Sequence, residues 1–399
     1  MIRIPCPRSR LLLALLLVFN VVTARRSLAA PSQRGFLIPL ESISSESLDE
    51  IKNNWKANVL RIQIGNNLQM DGASGAAYDA MLEERFSLLD QKLPLITEKG
   101  FKIIFCLHSP PGGFLTREPP SHYRMYSEPA LQEEYINTWK QIVTRYGTHP
   151  AIYAFDIENE PAMRKSLVAS GARPWNDLVV DVIAAIRQIH PTVPLIVKSL
   201  YGDPSKLASL PAINDTNIIY AYNSYLYNSY QHTGVNTAPF SISRPSDEAI
   251  MQNLRRRVSP FFFTQYTRAQ KKQIPAAAYP PKLIVGEVAV SACALESGQF
   301  LAGLIAALET NDSAISERRR ARALSKWRNG RRRNRKLKKP VFTAADFFLD
   351  VQHAGYASHA YGESQFWDPR FSCDSSGNLT QSTSDTDRAI VIKGAMSRN

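Results

Sequence analysis

The chain has 399 residues, 44% apolar and 21% charged, which is enough to bury a large core and excludes a wholly disordered or collagen-like polymer. Four cysteines in this length exclude a small disulfide scaffold. The net charge of +13 is concentrated in two places, since residues 1–34 carry six Arg and no acid, residues 318–339 carry thirteen Lys or Arg and no acid, and the other 29 basic residues are outnumbered by 35 acidic ones. The folded body is therefore expected to be mildly acidic, which argues against a nucleic-acid surface spread over it.

The N-terminus is ordered as a leader is. Arg3, Arg8 and Arg10 precede the apolar run Leu11–Val22, and small residues follow, with Ala24 or Ala29/Ala30 as cleavage candidates. The run is shorter than the roughly 20 apolar residues that span a bilayer. A signal peptide over residues 1–30 is the expectation, with a secreted or periplasmic product. An uncleaved anchor is the weaker alternative. Export would make the sequons at Asn214, Asn311 and Asn378 usable. It would also leave Cys106, Cys293 and Cys373, an odd number. Cys106 lies in an apolar run and reads as a small buried hydrophobe.

From residue 35, short apolar runs alternate with longer helical patterns. Strands are expected at 35–40, 58–64, 102–107, 152–157, 195–198, 218–222, 283–286 and 356–361. Several are continuous in Ile, Val, Leu and Phe, as strands covered on both faces are. Helices are expected at 47–55, 78–99, 131–146, 175–189, 300–308 and 346–353, from apolar residues spaced three and four apart; Pro94 is placed to kink the second. Eight strands, each followed by helix or a long loop, favour a single (β/α)8 barrel over residues 31–399. An open doubly wound sheet is the competing architecture, although no Gly-x-Gly-x-x-Gly follows the first strand. Residues 311–340 do not fit the alternation. Their like charges repel one another, so they read as a basic, solvated insertion after the seventh strand.

Catalytic groups of such a barrel sit at the C-terminal ends of its strands. Polar residues at the ends of the apolar runs include Arg61, His108, the group Asp156, Glu158, Asn159 and Glu160, then Asn223 and Tyr225, then Glu287, and finally Tyr356 and its neighbours. Glu160 and Glu287 stand out, because a charge ending an apolar run is costly unless paired or functional. Two carboxyl groups flanking one bond are what glycoside hydrolysis requires: one donates a proton to the leaving oxygen, and the other attacks or activates water. Strand alternation places Glu158 on the same face as Glu160, which makes it a rival for the acid. Metal-ligand spacings and phosphate-binding glycine loops are not seen in the sequence, so no metal or organic cofactor is expected.

With these residues in place, the chain resembles glycoside hydrolase family 5, the cellulase-type (β/α)8 enzymes. Asn159-Glu160-Pro161 resembles the fourth-strand motif, and Ile284-Val-Gly-Glu287 the seventh. Asn58-Val-Leu-Arg61-Ile resembles the second-strand segment, and Leu107-His108-Ser-Pro-Pro-Gly-Gly113 the third-strand His and its loop. The resemblance implies Glu160 as acid/base, Glu287 as nucleophile, Arg61 and Tyr225 as supports of Glu287, and Asn159 as donor to the sugar 2-hydroxyl. Asn223 stands where the family has a His. Tyr356 is the nearest aromatic to the family's eighth-strand Trp, the floor of the cleavage subsite. The implied activity is retaining hydrolysis of a β-linked polysaccharide, as in a cellulase, β-glucanase or mannanase, by a monomer. Two other readings stay open: a carbohydrate-binding barrel that has lost catalysis, and binding of an anionic polymer or surface through 318–339.

Overall fold

The computed structural model describes residues 33–397 apart from 66–71, 225–243, 276–280, 289, 291–292, 295, 310–345, 348–369 and 375–377, and all of these described residues fall within the unit Pro31–Arg398. The leader expected at 1–30, the whole basic insertion expected at 311–340, the strand expected at 356–361, Tyr225 and Tyr356 lie outside the described residues.

One parallel sheet organises the chain. Its strands, in spatial and chain order, are β1 Gly35–Leu37, β2 Val59–Ile64, β3 Lys102–Leu107, β4 Ile152–Asp156, β5 Leu195–Lys198, β6 Ile218–Asn223, β7 Lys282–Glu287 and β8 Asp346–Phe347. Every neighbouring pair is parallel. Seven strands match the sequence expectation. β1 is shorter than expected because Pro39 leads into a 3-10 turn at Leu40–Ser42. β8 falls in a stretch expected to be helix. Its two residues pair with Ile284 and Val285 of β7, whose edge groups would otherwise need other partners.

Helices pack on the outside. They are α1 Ser45–Asn53, α2 Gly75–Glu98, α3 Pro129–Tyr146, α4 Trp175–Ile189, α5 Asp247–Lys271, α6 Ser297–Glu309 and α7 Asp387–Met396. Local chemistry sets several ends. Ser44 and Ser47 form a reciprocal capping box at α1, and Pro129 opens α3 where a missing N–H costs nothing. α2 continues through Pro94. α5 was not expected from the sequence. Ile250, Leu254, Val258 and Phe261 recur on one buried face, but Arg255–Arg257 and Pro260 interrupt the pattern.

The two sides of the sheet bury different cores. The outer core joins strands to helices. The inner one is a separate cluster of Val59, Ile104, Ala154, Ile196, Ile219, Ala221 and Ile284, supplied by β2 to β7. This inner apolar layer is the floor on which the polar residues of the site stand.

The C-terminal segment fastens the structure at two points. Cys293, after β7, is disulfide-bonded to Cys373 in the short antiparallel strand Phe371–Cys373, with Cα atoms 5.0 Å apart. Cys106 is free and buried. Arg388 donates to Val290 O at 2.8 Å and Phe371 O at 2.7 Å. Arg34, just before β1, donates to the last-turn carbonyls of Ala395 and Met396, so a cation caps the C-terminus of α7.

Candidate active site

Side chains two residues apart on a strand share a face. One step above the inner apolar layer stand Arg61 on β2, Cys106 on β3, Asp156 on β4, Lys198 on β5, Asn223 on β6 and Gly286 on β7. The apolar layer ends and a buried polar layer begins within two residues on every strand, at the C-terminal end of the sheet.

Glu287 is added to this layer by a backbone irregularity. Tyr222 pairs with Val285, but the next residue, Asn223, pairs with Glu287, so β7 carries one extra residue, Gly286. The bulge turns two consecutive positions inward. A Cβ on Gly286 would meet Lys198 Nζ at 2.8 Å and Asn223 Oδ1 at 3.0 Å, so only glycine lets Glu287 and the two side chains share this space.

Arg61 is the centre of the layer and is 1% exposed. Its Nη1 donates to Glu287 Oε1 at 2.9 Å, and its Nη2 to Asp156 Oδ2 at 2.9 Å and Asn159 Oδ1 at 2.7 Å. It also reaches Cys106 Sγ at 3.0 Å, so this thiol is an acceptor in the polar layer as well as a packed group. Gln63 Nε2 adds a second donor to Asn159 Oδ1 at 3.3 Å. With its oxygen held by two donors, the Asn159 amide presents its NH2 end as the group that can donate outward.

Glu160 is half-buried, and its Oε1 accepts a short hydrogen bond from Asn223 Nδ2. Gly202, in the turn after β5 and at φ +63°, lies against both groups: a Cβ there would meet Asn223 Nδ2 at 2.7 Å and Glu160 Oε1 at 2.8 Å. Burial, and after it the negative charge of Glu287, push the Glu160 carboxyl up to about 8. Lys198, Asn223 and Arg61 pull the other way. Desolvation is the larger of the two causes.

That shift has a measurable consequence. Below its ordinary value of 4.5, Glu160 is protonated in both folded and unfolded chains. As pH rises toward 8, the unfolded chain loses the proton and the folded one keeps it, so the wild type loses stability across this window. Glu160→Gln does not titrate. Its stability relative to wild type is expected to rise between pH 5 and 8 by on the order of 2–4 kcal/mol and then level off. Thermal unfolding of both proteins at a series of pH values measures this, and a pH-independent difference would refute it.

Glu158, expected as a rival for the acid, differs from Glu160 in its surroundings. β4 ends at Asp156, and beyond it the alternation no longer holds. Glu158 is fully buried, its Oε1 accepts from Asn159 N at 3.2 Å, and Tyr135 is among its neighbours. Burial raises its carboxyl well above the ordinary range. Asp156 forms the second ion pair of Arg61. His108 follows β3, is half-buried and donates its N–H to Ile64 O at 2.8 Å. The structure thus joins Arg61, Asn159, Glu160, Asn223 and Glu287 in one cluster, with His108 at the same strand ends. Lys198 and Gly202 are the members that the sequence reading missed. Among the described residues, no three His, Cys, Asp or Glu side chains are grouped so as to hold a metal ion.

The family follows from sequence comparison. The model described as cellulase, glycosyl hydrolase family 5, matches residues 32–279. The chain belongs to this family. The match stops short of Glu287, so the seventh-strand carboxylate is placed by the structure. No curated protein matches the sequence. Three solved family-type structures share the fold. An endoglucanase from Pseudomonas stutzeri is 16% identical, with 92% of this chain and 94% of that one covered at a TM-score of 0.55. A hyperthermophilic endo-β-1,4-glucanase is 16% identical, covering 83% and 93% at 0.52. A family 5 lichenase from Caldicellulosiruptor sp. F32 is 14% identical, covering 89% and 84% at 0.51. The chain is a glycosidase with the (β/α)8 barrel of family 5.

Proposed function

We propose that this family 5 glycosidase hydrolyses a β-linked glucan with retention of configuration. The observation that carries the reading is the asymmetry of the two carboxyl groups. Glu287 is ion-paired to Arg61 at 2.9 Å, which fixes the position of its carboxyl group at the strand end. Glu160 is desolvated and lifted to about 8, which favours the protonated acid near neutral pH. Two carboxyl groups held apart in this way divide the nucleophile and acid roles between them.

In the first step a Glu287 oxygen attacks the anomeric carbon and the bond from that carbon to the leaving oxygen breaks. The Glu160 proton passes to the leaving oxygen. In the second step Glu160, now a carboxylate, takes a proton from water as the water oxygen attacks the same carbon, and Glu287 is released. In this reading the Asn159 NH2 donates to the sugar 2-hydroxyl. Tyr225 and Tyr356 are proposed as a support of Glu287 and a sugar platform. The glucan is chosen because the fold neighbours are an endo-β-1,4-glucanase and a lichenase by name. Action outside the cytoplasm is proposed from the leader at 1–30, and contact with an anionic surface from the charge of 318–339.

The test is a panel of carboxymethylcellulose, mixed-linkage β-glucan, β-1,3-glucan and β-mannan, with the first product followed by proton NMR. A β-anomer released first from one of the glucans is expected. An α-anomer would show inversion. Cleavage of mannan alone would move the substrate class. A folded protein that cleaves nothing but binds one of the polymers would favour a non-catalytic barrel, which the Asn223 contact to Glu160 keeps in view.

A further inference from the structure

The mechanism above makes no use of Lys198, yet this lysine is 0% exposed and stands between the carboxylates. It ends β5, and its main chain is pinned by the Trp175 indole N–H, which donates to Lys198 O at 3.0 Å. Its Nζ lies 3.3 Å from Asp156 Oδ2 and 3.8 Å from Glu287 Oε1. Among the described residues, no hydrogen bond of good geometry uses that ammonium. Asn223 Oδ1 is also without a hydrogen-bond partner among the described residues, and both groups border the place where a Gly286 side chain would lie. A buried ammonium without full compensation is expensive, so its retention at this point needs a reason.

We propose that Lys198 is a positioning residue of the carboxylate pair, holding Glu287 beside Arg61 and supplying the second positive charge that lets Glu160 change from acid to base between the two steps. The inference rests on the two-step reading given above.

The reason is a count of charges. The ionisable groups facing Lys198 are Arg61 from β2, Cys106 from β3, Asp156 from β4, Glu158 and Glu160 beyond its end, and Glu287 from β7. Burial raises the Cys106 thiol and the Glu158 carboxyl, which disfavours the charged form of each. Two cations, Arg61 and Lys198, then balance two anions, Asp156 and Glu287, in the resting site. When Glu287 becomes a sugar ester it loses its charge, and two cations face Asp156 alone. The surplus positive charge favours the Glu160 carboxylate just when a base is needed. Without Lys198, the resting site has one anion too many, and the intermediate has no surplus at all.

Lys198→Met is therefore expected to move both limbs of the kcat/KM profile to higher pH, by about one unit. On an aryl β-glycoside with a good leaving group, kcat and KM should fall together by about tenfold or more while kcat/KM at its new optimum changes little, with a burst of released aryl alcohol. Lys198→Arg should retain most of the wild-type profile. Lys198→Gln is the second neutral variant if Lys198→Met does not fold. Limbs that stay in place, or equal losses in kcat and kcat/KM without a burst, would overturn the proposal. A wild type that inverts or is inactive would instead overturn the two-step reading and this inference with it. A retaining wild type with unmoved variants would remove the Lys198 role alone.

Discussion

Replacing Glu287 by Gln is expected to lower kcat by a factor on the order of 10⁴ or more while the fold persists. The amide has nearly the shape of the carboxylate, and its Oε1 can still accept from Arg61. What it loses is the charge and the nucleophilicity, so no ester to the sugar forms. The substitution also removes the anion that helps hold a proton on Glu160. The Glu160 carboxyl should then titrate lower in Glu287→Gln than in wild type, a second signature that does not depend on turnover. Steady-state kinetics, with carbon-13 NMR of labelled glutamate, measure both. Retention of a tenth of wild-type activity would remove Glu287 as nucleophile.

The parts of this site differed in how plainly the sequence announced them, for physical reasons. Strands covered on both faces need unbroken apolar runs, and a charge that ends such a run stands out; Arg61, Glu160 and Glu287 were found this way. Lys198 sends the same signal, as the charge ending Leu195-Ile-Val, and could have been found by the same rule. The bulge at Gly286 could not, because it depends on how β7 registers against β6. The resemblance implied that Arg61 supports Glu287, but the pairing of Arg61 with Asp156 was equally hidden. Asp156 and Glu287 are 95 and 226 residues away along the chain, and only the curl of the sheet brings them to one guanidinium. The error at β8 has a different origin. A short apolar stretch suits a strand and a helix alike, and the pairing edge of β7 decides between them. In the same way, Glu158 was assigned a face by extending strand alternation past the residue where the strand stops.

Replacing Arg61 by Met is expected to damage both stability and catalysis, and the reason is the desolvation of its partners. Arg61 and its two carboxylate partners are each no more than 1% exposed. Removing one member of a buried ion pair leaves the other charge unsolvated and unpaired, which typically costs about 3–5 kcal/mol. Here two carboxylates lose a partner at once, and Lys198 at 3.3 and 3.8 Å is the one cation of the layer left to serve them among the described residues. Asn159 Oδ1 would also lose its 2.7 Å donor, keeping only the longer contact from Gln63, so the amide loses the constraint that aims its NH2 at the substrate. Denaturant unfolding at pH 7 should show a loss of about 3 kcal/mol or more. At pH 5 the loss should be smaller, because an unpaired buried carboxylate can take up a proton and escape the penalty. Arg61→Lys should recover part of the stability but little of the rate, since one ammonium cannot reach Glu287, Asp156 and Asn159 together as the planar guanidinium does. A variant as stable as wild type at both pH values would mean that the cluster is wetter and less interdependent than its burial indicates.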